Sequence, residues 1–337
     1  MNSSDNNSGP ELIQAVYLEE AARDYPLAQL MLRRYAGRPV IPVRHYKDVF
    51  NRPNQSFRLQ KQHMSLILAV KEKPFLYPGP EVCQNFGADR FFYMSLALNC
   101  PFDCEYCFLQ GLYPSANLVV FVNTDDFQQA VAAEASRNPI FLAASYDTDL
   151  IALHSIIPCL DEWRSFLAGQ QDLTMEIRTK SANQLFFRQY EPLSSLIIAF
   201  SLSPELIRQR FEMRTPSLEA RLKTVQFALE RGFKVRLCFD PVLIHPDWDE
   251  IYEPFFHQVF HSIDPRRLVD ISYGYFRMSA GHFARIAKQR PDSFLFAQNY
   301  LDRNDVVSYP LEEQEAVCTR HMALLSSYLP KERIFIR

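Results

Sequence analysis

Short apolar runs recur along the chain at intervals that suit strands. Between them lie segments whose apolar residues repeat at helical spacing. MSLILAV (64–70) is one such run. From near residue 91 the recurrence becomes regular, with FYMSLA (92–97), LVVFV (118–122), PIFLAA (139–144), SLIIAFS (195–201), KVRLCF (234–239) and LVDIS (268–272). MEIRTK (175–180) is a more polar member of the series. Runs of roughly four to eight apolar or β-branched residues between turn formers read as strands buried on both faces. Thr124, with Asp125 and Asp126, opens a helix to about Arg137. A hydroxyl and first-turn carboxylates there satisfy the free N–H groups and complement the helix dipole. Ser217 precedes a stripe of Leu218, Leu222, Val225 and Leu229 that stops at Gly232, and Asp247 opens another helix towards His261. Strands alternating with helices predict parallel βα units in an α/β fold. About six such units make an open, partial (β/α)6-type barrel of parallel strands rather than a closed eightfold one.

Ahead of this series the pattern is less regular. MNSSDNNSGP (1–10) reads as a disordered tail. Residues 11–37 read as helix, with Pro26 opening its second half and Gly37 its stop. Residues 38–60 are polar and irregular. The expected organisation is a tail (1–10), a helical or irregular extension packed on the barrel (11–85), and the barrel with a C-terminal helix (86–337). The 47% hydrophobic and 22% charged content excludes a disordered or fibrous chain. A formal charge of −3 excludes a global basic field of the kind that drives indiscriminate nucleic-acid binding. No apolar run reaches the roughly 18 residues of a membrane span, and the first residues hold no secretory apolar core. A cytoplasmic protein without a membrane partner is expected.

The seven cysteines sharpen this picture. Cys83, Cys159, Cys238 and Cys318 are scattered, whereas Cys100, Cys104 and Cys107 are bunched in NCPFDCEYCFLQG (99–111). An odd count with one tight cluster points to a metal site rather than a disulfide framework. Three thiolates spaced C-x3-C-x2-C can wrap one iron–sulfur cubane and leave the fourth iron open to a small molecule. Zinc is the alternative, but it usually needs four ligands and this run offers three. The segment follows a predicted strand at its C-terminal end, where βα barrels place their active sites.

This motif, with Tyr106 in its aromatic position, resembles that of the radical S-adenosylmethionine superfamily. In that superfamily a [4Fe-4S] cluster reduces bound S-adenosyl-L-methionine to a 5′-deoxyadenosyl radical. Further segments narrow the resemblance to the spore photoproduct lyase family: Glu19-Glu20 with Asp24-Tyr-Pro-Leu-Ala-Gln, Val120-Phe-Val-Asn123, Phe141-Leu-Ala-Ala, Phe200-Ser201-Leu, Arg214-Thr-Pro-Ser217 and PVLIHPDW (241–248). The family's enzymes restore two thymines from a methylene-bridged thymine dimer in DNA. The resemblance implies that Cys100, Cys104 and Cys107 hold the cluster. It also implies that Lys180 and Ser201 help hold S-adenosylmethionine, and that Asp240 stands near the nucleoside. It implies a DNA or nucleotide substrate, and an electron donor such as a flavodoxin or ferredoxin.

Three departures stand out. Where the family has a cysteine that returns a hydrogen atom to the product, this chain has Ser145. Where it has a tyrosine after the third cluster cysteine, this chain has Phe108, so that Tyr106 is the phenol that remains. Where it has a basic, glycine-containing hairpin that wedges into the duplex, this chain has YLDRNDVVSY (300–309). On KVRLCFDP, strand alternation puts Cys238 on one face with Arg236 and Asp240, which makes it a candidate replacement thiol. Two basic groups could track phosphates: Arg33, Arg34, Arg38, Arg44, His45 and Lys47, and Arg208, Arg210, Arg214, Arg221 and Lys223. Three readings follow. The chain repairs a pyrimidine photoproduct, directs the same radical chemistry at another nucleotide, small molecule or peptide, or uses its cluster only for binding or redox work.

Overall fold

The computed structural model describes residues 12–245 and 249–337. The tail 1–10 and the helix start at Asp247 lie outside them. The strands, numbered along the chain, form two large sheets. The first has the order β2 (Val40–Val43), β1 (Ile13–Glu19), β3 (Met64–Ala69), β8 (Leu118–Phe121) and β6 (Ala97–Leu98), parallel except for β6. The second has the order β18 (Ile334–Ile336), β14 (Ile271–Tyr275), β13 (Lys234–Val242), β11 (Leu196–Ser201), β10 (Leu173–Thr179), β9 (Ile140–Ala143), β5 (Phe91–Tyr93) and β4 (Tyr77–Pro78). All but the antiparallel edge strand β4 run parallel.

The expected partial barrel is this second sheet. Its edges β18 and β4 do not pair, so it stays open. It is nevertheless curled, because Phe86 from the segment before β5 packs against both Phe141 on β9 and Phe335 on β18. Gln84 also reaches across to the carbonyl of Ile336 at 3.3 Å. The polar run MEIRTK is a full member, inside β10.

Three expectations are corrected. Residues 11–37 are not one helix: 13–19 form β1, and the helix begins only at Pro26 and ends at Arg34. Ile13, Val16 and Tyr17 have helical spacing, but β2 and β3 pair with both edges of this segment, and that tertiary pairing overrides the local pattern. The stretch 38–60 is not irregular, since it holds β2 and the helices Lys47–Phe50 and Phe57–Gln62. The runs at 92–97 and 118–122 do not both join the barrel. The first splits into β5 in the barrel sheet and β6 in the first sheet, while β8 lies wholly in the first sheet. Between them Ser95 bridges to Ser145, which ties the two sheets together.

Two helices start where the sequence places them. Ser217 accepts the Ala220 N–H and caps Leu218–Glu230, and Gly232 follows at φ +87°, which a β-carbon would disfavour. Thr124 is the first residue of Thr124–Ala135. The C-terminal helix Leu311–Leu325 brings His321 against Tyr252 and Phe256 of the helix Asp249–Ser262. Beside the barrel, β15 (Arg277–Ser279), β17 (Val306–Ser308) and β16 (Leu301–Arg303) form a small antiparallel sheet. So 300–309 does fold as a hairpin, turning on Asn304 and Asp305, both at positive φ. It carries aspartates instead of the family's basic tip.

A close backbone contact helps join the cysteine segment to the C-terminal part of the chain. The short helix Leu109–Leu112 presents Gly111 to the helix Ala280–Gln289, and a β-carbon there would lie 2.7 Å from the His282 carbonyl oxygen. Gly111→Ala should therefore force the two helices apart and lower the unfolding free energy by about 1–3 kcal/mol in chemical denaturation.

Candidate active site

The cysteine loop is built from its backbone outward. Asn99 sits in the left-handed region at φ +67°, which asparagine tolerates better than most residues. Its amide donates to the carbonyls of Ser115 (2.7 Å) and Asn117 (2.8 Å). The buried Lys61 donates to the carbonyls of Cys100 and, at 2.7 Å, Phe102. Gln110 donates to the Cys104 carbonyl at 2.7 Å, and Arg290 grips both Gln110 (2.6 Å) and Asp103 (2.5 Å). A two-residue ladder pairs β7 (Asp103–Cys104) with β12 (Glu212–Met213). With the backbone held in this way, Cys100, Cys104 and Cys107 all line one cavity, together with Phe57, Lys61 and Asn99.

Burial raises all three thiols, Cys100 to about 12, while Lys61 opposes the rise at Cys100 and Cys107 and Lys180 opposes it at Cys104. Only an electrophile that replaces the protons makes them thiolates, as a metal centre does. Among the described residues no three His, Cys, Asp or Glu side chains converge on a single ion. A cubane instead places each thiolate on a different iron, so three separated thiols around one cavity fit it better than they fit zinc. The buried Asn99 Oδ1 has no partner among the described residues.

Beside the loop, one carboxylate collects the side chains the sequence singled out. Glu212 is fully buried and accepts from Tyr106, from Ser203 (2.8 Å) and from Arg221 (2.5 Å). Lys180 Nζ lies 3.9 Å from Glu212 and 5.5 Å from the centre of the Tyr106 ring. Burial by itself would raise the Glu212 carboxyl, but Arg221 and Lys180 outweigh it and hold it at about 2. Burial and the Glu212 charge push the Tyr106 phenol well above its usual range. Asp149 fixes Lys180 from behind by accepting its backbone N–H at 2.7 Å.

At the C-terminal ends of the neighbouring strands, Ser201 on β11 is in register with Cys238 on β13. Arg221 donates to the Ser201 carbonyl at 3.1 Å. Asp240 is clamped by Arg277 at 3.0 and 3.1 Å and faces Arg178 at 3.7 Å. Cys238 is fully buried among Glu176, Arg178 and Arg236, and burial raises its thiol to about 12. Ser145 is spent on the backbone, since its hydroxyl accepts the Arg178 N–H at 2.6 Å and donates to the Arg178 carbonyl at 3.0 Å. Structure therefore brings Cys100, Cys104, Cys107, Tyr106 and Lys180 together. It sets Ser201, Cys238 and Asp240 along the adjacent strands, with Ser145 tied to β10.

The sequence missed Glu212, Lys61, Arg178 and Arg277, because each acts through a fold-level contact and none lies in a cysteine motif. Four members of the second basic group have partners within the protein: Arg221 is buried on Glu212, Arg214 donates to the Lys61 carbonyl, Arg208 pairs with Glu205 and Lys223 with Glu219.

The spore photoproduct lyase family model matches residues 11–300. This chain belongs to that family. The lyase of Geobacillus sp. (strain Y412MC61) is 23% identical over 281 residues, 78% of each chain. That of Bacillus subtilis (strain 168) is 22% identical, covering 74% of this chain and 73% of its own. A solved spore photoproduct lyase complexed with dinucleoside spore photoproduct superposes with TM-score 0.80 at 18% identity, covering 96% of this chain and 98% of that one. The open curled sheet is thus the fold of those enzymes. The family consists of radical S-adenosylmethionine lyases that use a [4Fe-4S] cluster. No helix among the described residues is long and apolar enough to cross a membrane.

Glu212 titrates near 4.5 when unfolded and at about 2 when folded, so its stabilisation is complete above about pH 4.5 and is lost as the pH falls towards 2. Glu212→Gln should lower the unfolding free energy at pH 7 by about 3 kcal/mol. It should also flatten the loss of stability between pH 4.5 and pH 2, as read by urea denaturation across that range.

Proposed function

We propose that this protein is a radical S-adenosylmethionine lyase that acts on a pyrimidine photoproduct of DNA. The observation that carries this reading is the placement of three thiols on one cavity beside Lys180, Tyr106 and Glu212, in a chain of the spore photoproduct lyase family. Cys100, Cys104 and Cys107 would hold three irons of a [4Fe-4S] cluster. With S-adenosylmethionine bound, that cluster supplies a 5′-deoxyadenosyl radical. The chain's own groups do the rest. Lys61 offsets thiolate charge from inside the loop, and its ammonium is held there by two carbonyls. Lys180 offers a cation for a carboxylate, poised by Glu212 rather than neutralised by close contact, since 3.9 Å is long for an ion pair. Ser201 offers a strand-end hydroxyl to a ribose. The Asp240 carboxylate, locked by two arginines, leaves its backbone to shape the nucleoside edge.

The lesion reading draws on the relatives that hold dinucleoside spore photoproduct. The β16–β17 hairpin, whose 300–309 stretch has Arg303 as its one basic residue, favours a second reading, in which a short or single-stranded nucleotide is preferred to duplex DNA. In either reading an external one-electron donor of the flavodoxin or ferredoxin class reduces the cluster.

Anaerobic reconstitution with iron, sulfide and dithionite tests the proposal. The protein should release 5′-deoxyadenosine from S-adenosylmethionine and convert dinucleoside spore photoproduct to thymidylyl-thymidine, followed by liquid chromatography. 5′-Deoxyadenosine release without thymine recovery would overturn the lesion assignment and keep the radical one. Alanine at Cys100, Cys104 or Cys107 should abolish both the brown chromophore and cleavage. Alanine at Cys159 or Cys318 should leave both in place. Lys180→Ala should raise the apparent Kd for S-adenosylmethionine about tenfold, which is about 1.4 kcal/mol.

A further inference from the structure

In the lyase reading the cluster takes its electron from another protein, while the mouth with Lys180, Ser201 and Asp240 is given over to S-adenosylmethionine and the lesion. The carrier therefore has to meet the cysteine loop from its outer side. The ladder of β7 with β12 separates the two sides. Residues paired across an antiparallel ladder share a face. Glu212 and Cys104 are paired and buried, on the side of Tyr106 and Arg221. Met213 and Asp103 are paired on the opposite face, where Met213 is 36% exposed.

The side chains around that outer face are apolar and basic, and each is tied to the loop through a neighbour. Arg210 precedes Phe211, whose carbonyl accepts the Glu105 N–H at 2.7 Å. Phe294, 38% exposed, follows Ser293, whose hydroxyl donates to Glu105. The Arg210 guanidinium lies over the Phe294 ring, 5.0 Å from its centre. Arg214 follows Met213 and donates to the carbonyl of Lys61, whose ammonium in turn donates to the carbonyl of Cys100. Arg58 pairs at 3.1 Å with Asp292, two residues beyond the Arg290 that grips Asp103. Leu59 is on the helix whose Phe57 and Lys61 line the cysteine cavity, and at 64% it is the most exposed large apolar side chain described. Asp103 and Glu105 do not set the sign of this face, because Arg290 reaches both, at 2.5 and 3.9 Å. At the rim Arg58, Arg210 and Arg214 outnumber Asp292. Exposed Met, Phe and Leu bordered by arginine match the make-up of protein interfaces, and a basic rim steers an acidic partner.

We propose that the outer face of the cysteine loop, formed by Met213, Phe294 and Leu59 and rimmed by Arg58, Arg210 and Arg214, docks an acidic, flavin-bearing electron-carrier protein, a surface that rests on the radical lyase reading above. A flavin carrier fits because the dimethylbenzene edge of the flavin ring is apolar and meets apolar side chains here. The step moves one electron from the carrier's reduced flavin to the cluster. The flavin is oxidised by one electron, the cluster is reduced by one, and no bond forms or breaks. The route through the protein is short, since Lys61 alone links Arg214 at the surface to the backbone of Cys100. Such encounters are small, transient and sensitive to salt.

Calorimetric titration of the reconstituted protein with a recombinant flavodoxin carrying its flavin mononucleotide tests the surface. Wild type should bind it, and the affinity should fall as salt rises from about 50 to about 200 mM. Leu59→Glu and the double variant Arg58→Glu/Arg210→Glu should each raise the Kd about tenfold or more. Arg33→Glu, in the other basic group, should leave it unchanged. Cluster reduction by reduced flavodoxin, followed in the visible spectrum at low carrier concentration, should slow by a similar factor in the same variants. Dithionite needs no docking surface, so it should still drive 5′-deoxyadenosine release in all of them, which shows that they are folded and loaded. An unchanged Kd in both the Leu59 and the arginine variants would overturn the surface. Loss of oligothymidine binding in those variants, with flavodoxin binding intact, would also overturn it and assign the face to nucleic acid. A wild type that releases 5′-deoxyadenosine with dithionite but does not bind flavodoxin would overturn the surface and leave the radical reading standing. Neither release with dithionite nor binding of flavodoxin would overturn both.

Discussion

The site depends on one buried carboxylate. Glu212 lies at the point where the cysteine loop meets the barrel, its strand paired with Cys104 and its oxygens shared among Tyr106, Ser203 and Arg221. A charge buried this deeply is tolerated only when fully paired, and removing one partner of such a group costs about 3–5 kcal/mol. That cost makes the arrangement cooperative. The loop cannot drift from β12 without stranding Tyr106, and Arg221 cannot leave without unbalancing Glu212 and freeing the end of β11. Lys180 is the cation left at long range, and so it remains able to meet a ligand.

The barrel interior follows from strand parity. On β10 the residues Glu176 and Arg178 lie on one face, with Lys180 just past the strand's end, and on β13 Arg236, Cys238 and Asp240 share a face. The two faces meet as a ladder of opposite charges. Arg236 bridges Glu176 and Asp270 at the closed end. Arg178 spans Glu176 (3.2 Å) and Asp240 (3.7 Å) in the middle. Arg277 completes Asp240 at the mouth. Cys238 is a small apolar rung within this ladder, which explains its depth. The ladder pairs the charges of the interior below the mouth with one another.

Much of this was legible in the sequence because it is local. The spacing of the cysteines, the apolar runs of the inner strands and the Ser217 cap each depend on neighbours in the chain. The first strand was not legible, because Ile13, Val16 and Tyr17 have helical spacing, and only pairing with β2 and β3 makes the segment extended. Nor was the split of 92–97 between two sheets, which depends on where Ser95 meets Ser145. Within the site, Lys180 stood in a recognisable strand end. Glu212 and Lys61 reach it from 212 and 61 through contacts that span dozens of residues, and no pattern within a short window encodes such contacts. The depth of Arg221 was hidden for the converse reason: a run of arginines looks alike whether it faces water or, like Arg221, buries itself on an acid.

Arg290 has a consequence for how the two ends of the molecule communicate. Its guanidinium ties Asp103 and Gln110 of the cysteine loop to the helix that ends at Gln289, against which Gly111 also packs. Any ligand that orders the loop therefore binds more tightly when that helix is docked, and by reciprocity it holds the helix, and the three-stranded hairpin sheet beyond it, in place. Ordering of the cysteine loop and docking of that helix are then two faces of one equilibrium.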